Sequence, residues 1–149
     1  MQLSTRGRYA ARAMVELAIN YAKGPLQLKE IARRQEISEK YLEQIMIPLR
    51  NNGYVYTQKG SRGGYYLSYS PDKIVLLEIL EIVENSLSPV PCVDHPEACE
   101  RVDSCVLRDV WIRIKKLVNS ELAAVTLADL AAEQKRINSS PYEDHSYYI

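Results

Sequence analysis

Cysteine is absent from the 149-residue chain outside one short stretch, where Cys92, Cys99 and Cys105 follow the spacing C-x6-C-x5-C. An odd number of cysteines excludes a pure disulfide framework, which needs pairs and an oxidising compartment. The chain also lacks an apolar run of the roughly 18 residues that a membrane helix needs. Its first residues lack the charged and then apolar plan of a secretory signal. We therefore expect a cytoplasmic protein with no membrane partner, whose reduced thiols can bind a metal.

Catalytic side chains are scarce as well. His95 and His145 are the only histidines, and the sequence contains neither a Ser–His–Asp arrangement nor a glycine-rich phosphate loop. Acid–base and nucleophilic catalysis commonly rely on such groups. The sequence therefore predicts that the chain is not an enzyme.

Positive charge is unevenly distributed along the chain, although the formal net charge is zero. Residues 1–70 contain eleven Lys and Arg against five Asp and Glu, whereas residues 71–149 contain eight against fourteen. A basic half joined to an acidic half is typical of a protein that presents one face to nucleic acid. A solvated basic surface without a partner is the alternative.

Apolar periodicity predicts three helices followed by a β-hairpin in the first 70 residues. Apolar residues recur at the helical spacing from Tyr9 to Tyr21, over about 28–35, and from the candidate N-cap Ser38 to about Asn51. β-branched and aromatic residues at 54–57 and 65–68 flank a glycine-rich loop, which predicts two strands. The predicted fold class is therefore mainly α with a small β-hairpin wing, a winged helix-turn-helix followed by a long dimerisation helix.

The second half is predicted to place a loop between helices. Helices are expected over about 76–85 and about 105–124, and Thr126 is expected to cap a last short helix that runs to about 135. Residues 86–104 contain prolines and are expected to form a loop. The long helix has too many apolar residues for one flank of a small domain, so we expect it to pair in a homodimer; packing on its own core is the alternative. The predicted domains are a DNA-binding unit at 1–70, a cluster-binding loop with dimerisation helices at 71–137, and a mobile tail at 138–149.

The second helix of a helix-turn-helix places residues near its N-terminus against base edges in the major groove. The candidate DNA-reading residues at this end are Ser38, Lys40, Tyr41, Glu43 and Gln44. Gln44 can pair with adenine and Glu43 can accept a hydrogen bond from cytosine, whereas Lys40 suits a phosphate. Taken alone, these residues are better explained as the solvated side of an amphipathic helix.

Two cations lie in the predicted wing. Lys59 and Arg62 stand among glycines, which let the backbone approach DNA closely while the cations reach a phosphate or the minor groove. A β-turn with incidental charge is the alternative, but the position directly after three helices favours DNA binding. Arg6 and Arg8, with Arg12, are expected to add contacts to the DNA backbone from the start of the first helix.

Three segments share a pattern with a known family: Thr5-Arg6-Gly7-Arg8-Tyr9-Ala10, Ile37-Ser38-x-x-Tyr41-Leu42-Glu43-Gln44 and Lys59-Gly60-x-x-Gly63-Gly64-Tyr65. With the three-cysteine loop and Trp111, they resemble the iron–sulfur cluster regulator (IscR-like) branch of a bacterial winged-helix transcription factor family, over about residues 1–135. The resemblance implies a homodimer on a double-stranded operator, with Glu43 and Gln44 reading bases and the wing entering the minor groove. Lys59 stands where an arginine is common, which implies a weaker or less selective grip.

Three thiolates in one short segment suit an iron–sulfur cluster, zinc or copper(I). Structural zinc sites usually bring cysteines in closer pairs than these, whereas [2Fe–2S] clusters accept looser spacings. The resemblance implies a [2Fe–2S] cluster on Cys92, Cys99 and Cys105, or a [4Fe–4S] cluster as in the nitric-oxide-sensing branch. In the [2Fe–2S] branch the fourth ligand is typically a histidine three residues after the last cysteine, where this chain has Arg108.

Arginine stays protonated and cannot coordinate a metal, so the fourth ligand has to come from another position. The preferred candidates are Asp109, one helical turn after Cys105, and His95, which is the better nitrogen donor. Asp94, Glu100 and Asp103 are further carboxylates nearby, and a residue of the second subunit stays open.

The predicted function is a homodimeric, DNA-binding transcription regulator that senses iron–sulfur cluster status. By resemblance, it controls genes of iron–sulfur cluster assembly. A nitric-oxide-responsive [4Fe–4S] repressor is one alternative, and a thiol-redox or zinc-dependent DNA-binding regulator is the other.

Overall fold

The protein is described from a computed structural model, and the structure describes residues 1–140. Helices and strands follow one another in this order: α1 Thr5–Ile19, α2 Leu28–Gln35, α3 Glu39–Asn51, β1 Val55–Gln58, β2 Gly64–Leu67, α4 Leu76–Val83, α5 Pro91–Asp94, α6 Val106–Ala124 and α7 Leu127–Ser139. The predicted fold class, mainly α with a hairpin wing, is confirmed. None of the helices in residues 1–140 combines the length and apolar character that crossing a bilayer requires.

α1 begins four residues before the predicted start at Tyr9, because Ser4 caps it. The Ser4 Oγ accepts a hydrogen bond from the Gly7 N–H at 3.0 Å, which satisfies one of the free N–H groups of the first turn. The predicted start rested on apolar periodicity, and the helical residues before Tyr9 are exposed and polar except for Gly7. The helix also ends at Ile19, two residues before the predicted end.

α2 and α3 have their predicted bounds. The Ser38 Oγ accepts a hydrogen bond from the Tyr41 N–H at 3.1 Å, so the predicted N-cap of α3 is confirmed. Glu36 makes the tight turn between the two helices in the left-handed conformation, with a φ of 56°. The apolar stripe of α3 is fully buried, as its periodicity predicted; it consists of Leu42, Ile45, Met46 and Leu49.

The wing is a two-stranded antiparallel hairpin, with Val55 opposite Leu67 and Gln58 opposite Gly64. β1 lies one residue later than predicted and β2 one residue earlier. Leu26 and Tyr65 exchange two backbone hydrogen bonds, at 3.0 and 2.8 Å. The segment before α2 therefore pairs with the hairpin and joins the wing to the helices.

One hydrophobic core lies between α1, α2, α3, α4 and α7. Its fully buried members include Met14 of α1, Ile31 of α2, Met46 of α3, Ile79 of α4 and Leu127 of α7. Residues from both sides of position 70 thus share one cluster, and α7 packs along α1. The DNA-binding helices are therefore positioned partly by the second half of the chain.

The segment between α4 and α6 is mainly loop, as predicted, but it contains two short helical turns. α5 is a single α-helical turn, and Pro96–Ala98 form one 3₁₀ turn. Each begins with proline, whose missing N–H is no loss at a helix start. The expectation of a loop without helix over 86–104 is wrong at these two turns. α5 packs against α6.

α6 stands apart from the core. Its 19 residues span about 28 Å, and none of them is buried within the part of the chain that the structure describes. Val106 is 83% exposed and Leu117 is 71% exposed. Cys105 is the N-cap residue of α6, whereas the prediction placed it in the first turn.

α7 begins at the predicted cap. The Thr126 Oγ1 accepts a hydrogen bond from the Asp129 N–H at 3.1 Å. The helix continues past the predicted end near residue 135 to Ser139, so Asn138 and Ser139 belong to it and not to the predicted tail. Residues 141–149 of that tail lie outside the described residues.

Candidate DNA interface and cysteine loop

The N-terminal half of α3 presents polar side chains to solvent. Lys40, Glu43 and Gln44 are exposed, whereas the neighbouring Leu42 and Ile45 are buried. Exposed Gln and Glu side chains on a helix carry the donors and acceptors that match base edges in the major groove. These three residues therefore occupy the outward positions predicted for them.

Ser38 and Tyr41, which were also predicted to read DNA, have partners within the protein. The Ser38 hydroxyl caps α3, and the half-buried Tyr41 ring packs edge-on against Tyr9 of α1, with ring centroids 6.2 Å apart and planes at 84°. Pairs of this geometry contribute about 0.5–1.5 kcal/mol beyond their buried area. The Arg12 guanidinium lies 5.4 Å from the centre of the Tyr9 ring. Ser38 therefore fixes the first turn of α3, and Tyr41 packs this end of the helix against α1.

Lys59 and Arg62 are exposed at the tip of the wing. Gln27, just before α2, supports this tip because its Nε2 donates a hydrogen bond to the Ser61 carbonyl at 3.1 Å. Glycine is required at position 64, since a Cβ there would lie 2.6 Å from the Leu26 carbonyl oxygen. The two predicted cations are thus carried by a backbone that is held at its tip and at its base.

The arginines of α2 are paired with acidic neighbours. Arg34 contacts Glu16 at 2.9 Å and Glu30 at 2.8 Å, and Arg33 contacts Glu30 at 2.8 Å. Hydrogen bonds from Arg33 and Arg34 lower the pKa of Glu30 to about 2. Within residues 1–140, no acidic group forms an ion pair with the cations predicted to contact DNA, which are Arg6, Arg8, Lys40, Lys59 and Arg62. The charge of these side chains is available to phosphates.

The thiols of Cys92, Cys99 and Cys105 are half-buried and free of disulfide bonds. Three free thiols are the kind of donor that an iron–sulfur cluster takes, so the residue types suit the group. The placement does not assemble them: across residues 1–140, no three His, Cys, Asp or Glu side chains come close enough to hold a metal ion. The loop has to rearrange before the three sulfurs can share a cluster.

Two polar contacts hold the segment of the first cysteine against α6. Lys115 of α6 forms an ion pair with the Asp94 carboxylate, which also accepts a hydrogen bond from the Ser86 Oγ at 2.5 Å. Arg108 donates a hydrogen bond from Nε to the Cys92 carbonyl at 3.3 Å. The hydrogen bonds from Lys115 and Ser86 hold the pKa of Asp94 well below its usual range. α5 is therefore fastened to α6 at Cys92 and again two residues beyond it.

The candidate fourth ligands lie in different surroundings. His95 is exposed, and its Nδ1 lies 3.3 Å from the Glu97 Oε1. Asp109 is exposed in the first turn of α6. Asp94 is engaged by Lys115, whereas Glu100 and Asp103 are exposed. Arg108, which cannot coordinate, donates to the Cys92 carbonyl. His95 and Asp109 stay the preferred candidates, with Glu100, Asp103 and a residue of a second subunit open.

Sequence reasoning missed two long-range contacts next to these groups. The Asp94–Lys115 pair joins residues 21 positions apart. Glu84 accepts hydrogen bonds from Ser4, which lies 80 positions earlier. Neither periodicity nor a local motif indicates such pairs; the one available signal was Ser4 itself, a residue type that favours helix N-caps.

Known proteins are similar to this chain in sequence and in fold. The Rrf2 family model, described as an iron-dependent transcriptional regulator, matches residues 3–133. The HTH-type transcriptional regulator CymR of Bacillus subtilis (strain 168) is 41% identical over 149 residues, which is 100% of this chain and 100% of CymR.

Two solved structures agree with the fold. CymR, described as the global cysteine regulator of B. subtilis, gives a TM-score of 0.75 at 40% identity, over 89% of this chain and 98% of that one. T. potens IscR gives a TM-score of 0.77 at 33% identity, over 95% and 93%.

The predicted resemblance to a winged-helix family with IscR-like members is thereby confirmed. The relatives are named as transcription regulators. Because the family model spans almost the whole chain, this protein belongs to the Rrf2 family of DNA-binding transcription regulators.

Proposed function

We propose that the protein is a homodimeric regulator that binds a double-stranded DNA operator with α3 and the wing, and that the cysteine loop is its sensor. The observation that carries the proposal is the polar face of α3. Lys40, Glu43 and Gln44 are exposed on a capped helix whose opposite face is fully buried. A helix held in this way, with uncommitted amide and carboxylate groups near its N-terminus, fits the major groove. A DNA operator as partner and cysteine thiols that stay reduced both support a cytoplasmic location.

The proposed DNA contacts divide between base edges and phosphates. The Gln44 amide offers one donor and one acceptor to adenine, and the Glu43 carboxylate accepts from cytosine N4. Lys40 neutralises a phosphate, and Lys59 and Arg62 neutralise phosphates or enter the minor groove. Ser38 and Tyr41 set the position of α3 on the DNA, and Arg6 and Arg8 add phosphate contacts from α1.

α6 supplies the proposed dimer contact. Apolar side chains along it are exposed or half-buried: Val106, Leu107, Val110, Trp111, Ile114, Leu117, Val118 and Leu122. Burial of apolar area is favourable by about 25 cal/mol per Å², and two-fold pairing of the same helix buries both copies at once. Such a dimer places its two α3 helices about 34 Å apart, so it reads a pseudo-palindromic operator.

The cysteine loop is proposed to hold a [2Fe–2S] cluster through Cys92, Cys99 and Cys105, with His95, Asp109 or a residue of the second subunit as the fourth ligand. When bound, the cluster supplies a redox-active centre that is lost when iron is scarce. The three free thiols support this assignment in residue type and number. The controlled genes are then those of iron–sulfur cluster assembly.

A second candidate is thiol-based regulation without a cluster. Two observations favour it. The three thiols are not gathered with other ligand side chains anywhere in residues 1–140. CymR, a relative that matches the whole chain, is described as a global cysteine regulator. In this version the cysteine side chains themselves respond to the redox or sulfur state.

Anaerobic purification with quantitation of iron and acid-labile sulfide separates these candidates. Iron and sulfide in the proportion of a [2Fe–2S] cluster, lost in Cys92→Ser, Cys99→Ser and Cys105→Ser, support the first candidate. The proportion and spectrum of a [4Fe–4S] cluster indicate the nitric-oxide-sensing alternative. A colourless protein that carries zinc or no metal after reconstitution supports the second candidate.

Base reading by α3 is tested with Gln44→Ala. We expect a loss of about 1–3 kcal/mol, roughly 5- to 150-fold in affinity, at the preferred operator and no change on unrelated DNA. Asn51→Ala, at the exposed far end of the same helix, is the matched control and should bind as the wild type does. Equal losses on every DNA sequence would contradict base reading by Gln44.

A further inference from the structure

The first turn of α1 is held by a residue from the end of α4. The Ser4 N–H and the Ser4 Oγ both donate hydrogen bonds to the Glu84 Oε1, at 2.9 and 2.8 Å. The Gly7 N–H donates to the same Ser4 Oγ at 3.0 Å. Glu84 thus completes the cap that Ser4 begins. We call these contacts of Ser4, Gly7 and Glu84 the Glu84 clamp.

The sequence of α1 is adapted to this carboxylate. A Cβ at Gly7 would lie 2.0 Å from the Glu84 Oε1, so a larger residue there would displace the carboxylate from its present position. The absence of a side chain at Gly7 thus lets an acid lie at the N-terminus of α1, where negative charge is favourable. Glycine at this position and the acid at Glu84 are therefore compatible parts of one contact.

The clamp connects the DNA-contacting end of α1 to the start of the cysteine segment. Arg6 and Arg8 are exposed on either side of the buried Gly7. Glu84 directly follows α4, and Ser86, two residues later, donates a hydrogen bond to Asp94 of α5. A displacement of α5 therefore acts on the segment that begins at Glu84.

We propose that Glu84 is a positioning residue that couples the cysteine loop to the grip of Arg6 and Arg8 on the DNA backbone. The inference rests on the proposed DNA contacts of these two arginines. When the carboxylate stays against Ser4, the first turn of α1 is fixed and both guanidinium groups are held in place. A rearrangement of the loop that withdraws Glu84 removes the acceptor of the two Ser4 hydrogen bonds, and the arginines lose their fixed position. Coupling of this kind is reciprocal, so DNA binding also stabilises the clamped loop.

The positioning role is tested with Glu84→Ala, and Glu84→Gln serves as the conservative variant that keeps an acceptor oxygen. Glu81→Ala, on the exposed side of α4, is the charge-matched control. Operator affinity measured by fluorescence anisotropy should fall about fivefold in Glu84→Ala, the low end of couplings between two sites. The dependence on salt should become shallower by about one unit. Glu84→Gln should recover most of the affinity, and Glu81→Ala should match the wild type.

A combination of variants separates positioning from general loss of structure. In an Arg6→Ala, Arg8→Ala background, Glu84→Ala should cause no further loss of affinity, because it acts only through these arginines. An additive loss would overturn the positioning role. If the double arginine variant and Gln44→Ala both bind as the wild type does, the proposed DNA interface itself is wrong. If the double arginine variant loses operator affinity but Glu84→Ala binds as the wild type does, the proposed role of the Glu84 clamp is wrong and the proposed DNA interface stands.

Coupling to the loop is tested by alkylating the three thiols with iodoacetamide, which perturbs the loop directly. After alkylation, the operator affinity of the wild-type protein and of Glu81→Ala should change by about fivefold or more, the low end of allosteric couplings. Glu84→Ala should not respond. An equal response in Glu84→Ala, or no response in the wild type, would overturn the coupling.

Discussion

Replacing Lys115 with methionine is expected to release the first cysteine segment from α6. The Lys115 and Asp94 side chains are 32% and 21% exposed, so solvent screens their pair less than it screens a fully exposed one. A charge-assisted hydrogen bond in this setting contributes about 1 kcal/mol, between the values for surface ion pairs and for buried bonds to charged groups. Methionine keeps a long apolar side chain on α6 and removes only the ammonium group.

The Cys92 thiol reports this release. It is half-buried on α5, so we expect it to react mainly when α5 opens away from α6. If the free energy that holds α5 against α6 falls by about 1 kcal/mol, the state in which α5 is open becomes about fivefold more populated. Cys92 in Lys115→Met should therefore be alkylated by limiting iodoacetamide about fivefold faster than in the wild type. Mass spectrometry of the cysteine peptides at successive times gives this rate, with Cys99 in the same chain as the internal reference.

Lys116→Met is the matched control, because Lys116 is exposed and forms no ion pair within residues 1–140. It removes the same charge from the same helix and should leave the Cys92 rate unchanged. Equal Cys92 rates in the wild type and Lys115→Met would refute the reasoning that this pair closes the loop. Equal acceleration in both variants would assign the effect to net charge.

Three further predictions concern the wing, the dimer and a helix cap. Lys59→Ala and Arg62→Ala should each make the plot of log affinity against log salt shallower by about one unit, since each side chain neutralises one phosphate; an unchanged slope would place that side chain outside the interface. Leu117→Glu should convert the proposed dimer to monomers in analytical ultracentrifugation, because pairing would bury an uncompensated charge on α6; a stable dimer would locate the contact elsewhere. Ser38→Ala should lower the free energy of unfolding by about 1 kcal/mol in urea titrations, because the Tyr41 N–H loses its cap; an unchanged midpoint would show that water replaces the hydroxyl.

Local signals predicted both bounds of α2 and α3. The apolar spacing of α2 was sufficient without a side-chain cap, and α3 is capped by Ser38 with every residue on its inward stripe buried. The start of α1 was missed since its first turn packs through Gly7 alone, which periodicity does not register. Both strands extend one residue closer to the loop than predicted because Gln58 pairs with Gly64, and neither residue type carries the β-branched or aromatic signal of a strand.

Long-range contacts were beyond sequence reasoning. The cysteines were found as a cluster in the sequence, and their placement depends on tertiary contacts such as Asp94 with Lys115 and Arg108 with Cys92. The exposed positions of Lys40, Glu43 and Gln44 followed from helical spacing, whereas the packing of Tyr41 against Tyr9 required the crossing of α1 and α3 to be known. Local sequence patterns therefore predicted the exposure of side chains well, but they did not predict the contacts between side chains that are distant in the sequence.

Leu26 pairs with the wing through two backbone hydrogen bonds and Gln27 holds its tip, so the hairpin is tied to the segment that leads into α2. A hairpin tied in this way has little freedom to reshape its own fit to half of the proposed operator. In the proposed dimer, switching then has to change the tilt or separation of the two copies across the dyad, or to loosen the first turn of α1. Operators that differ only in the number of base pairs between their halves should therefore respond differently to the same effector.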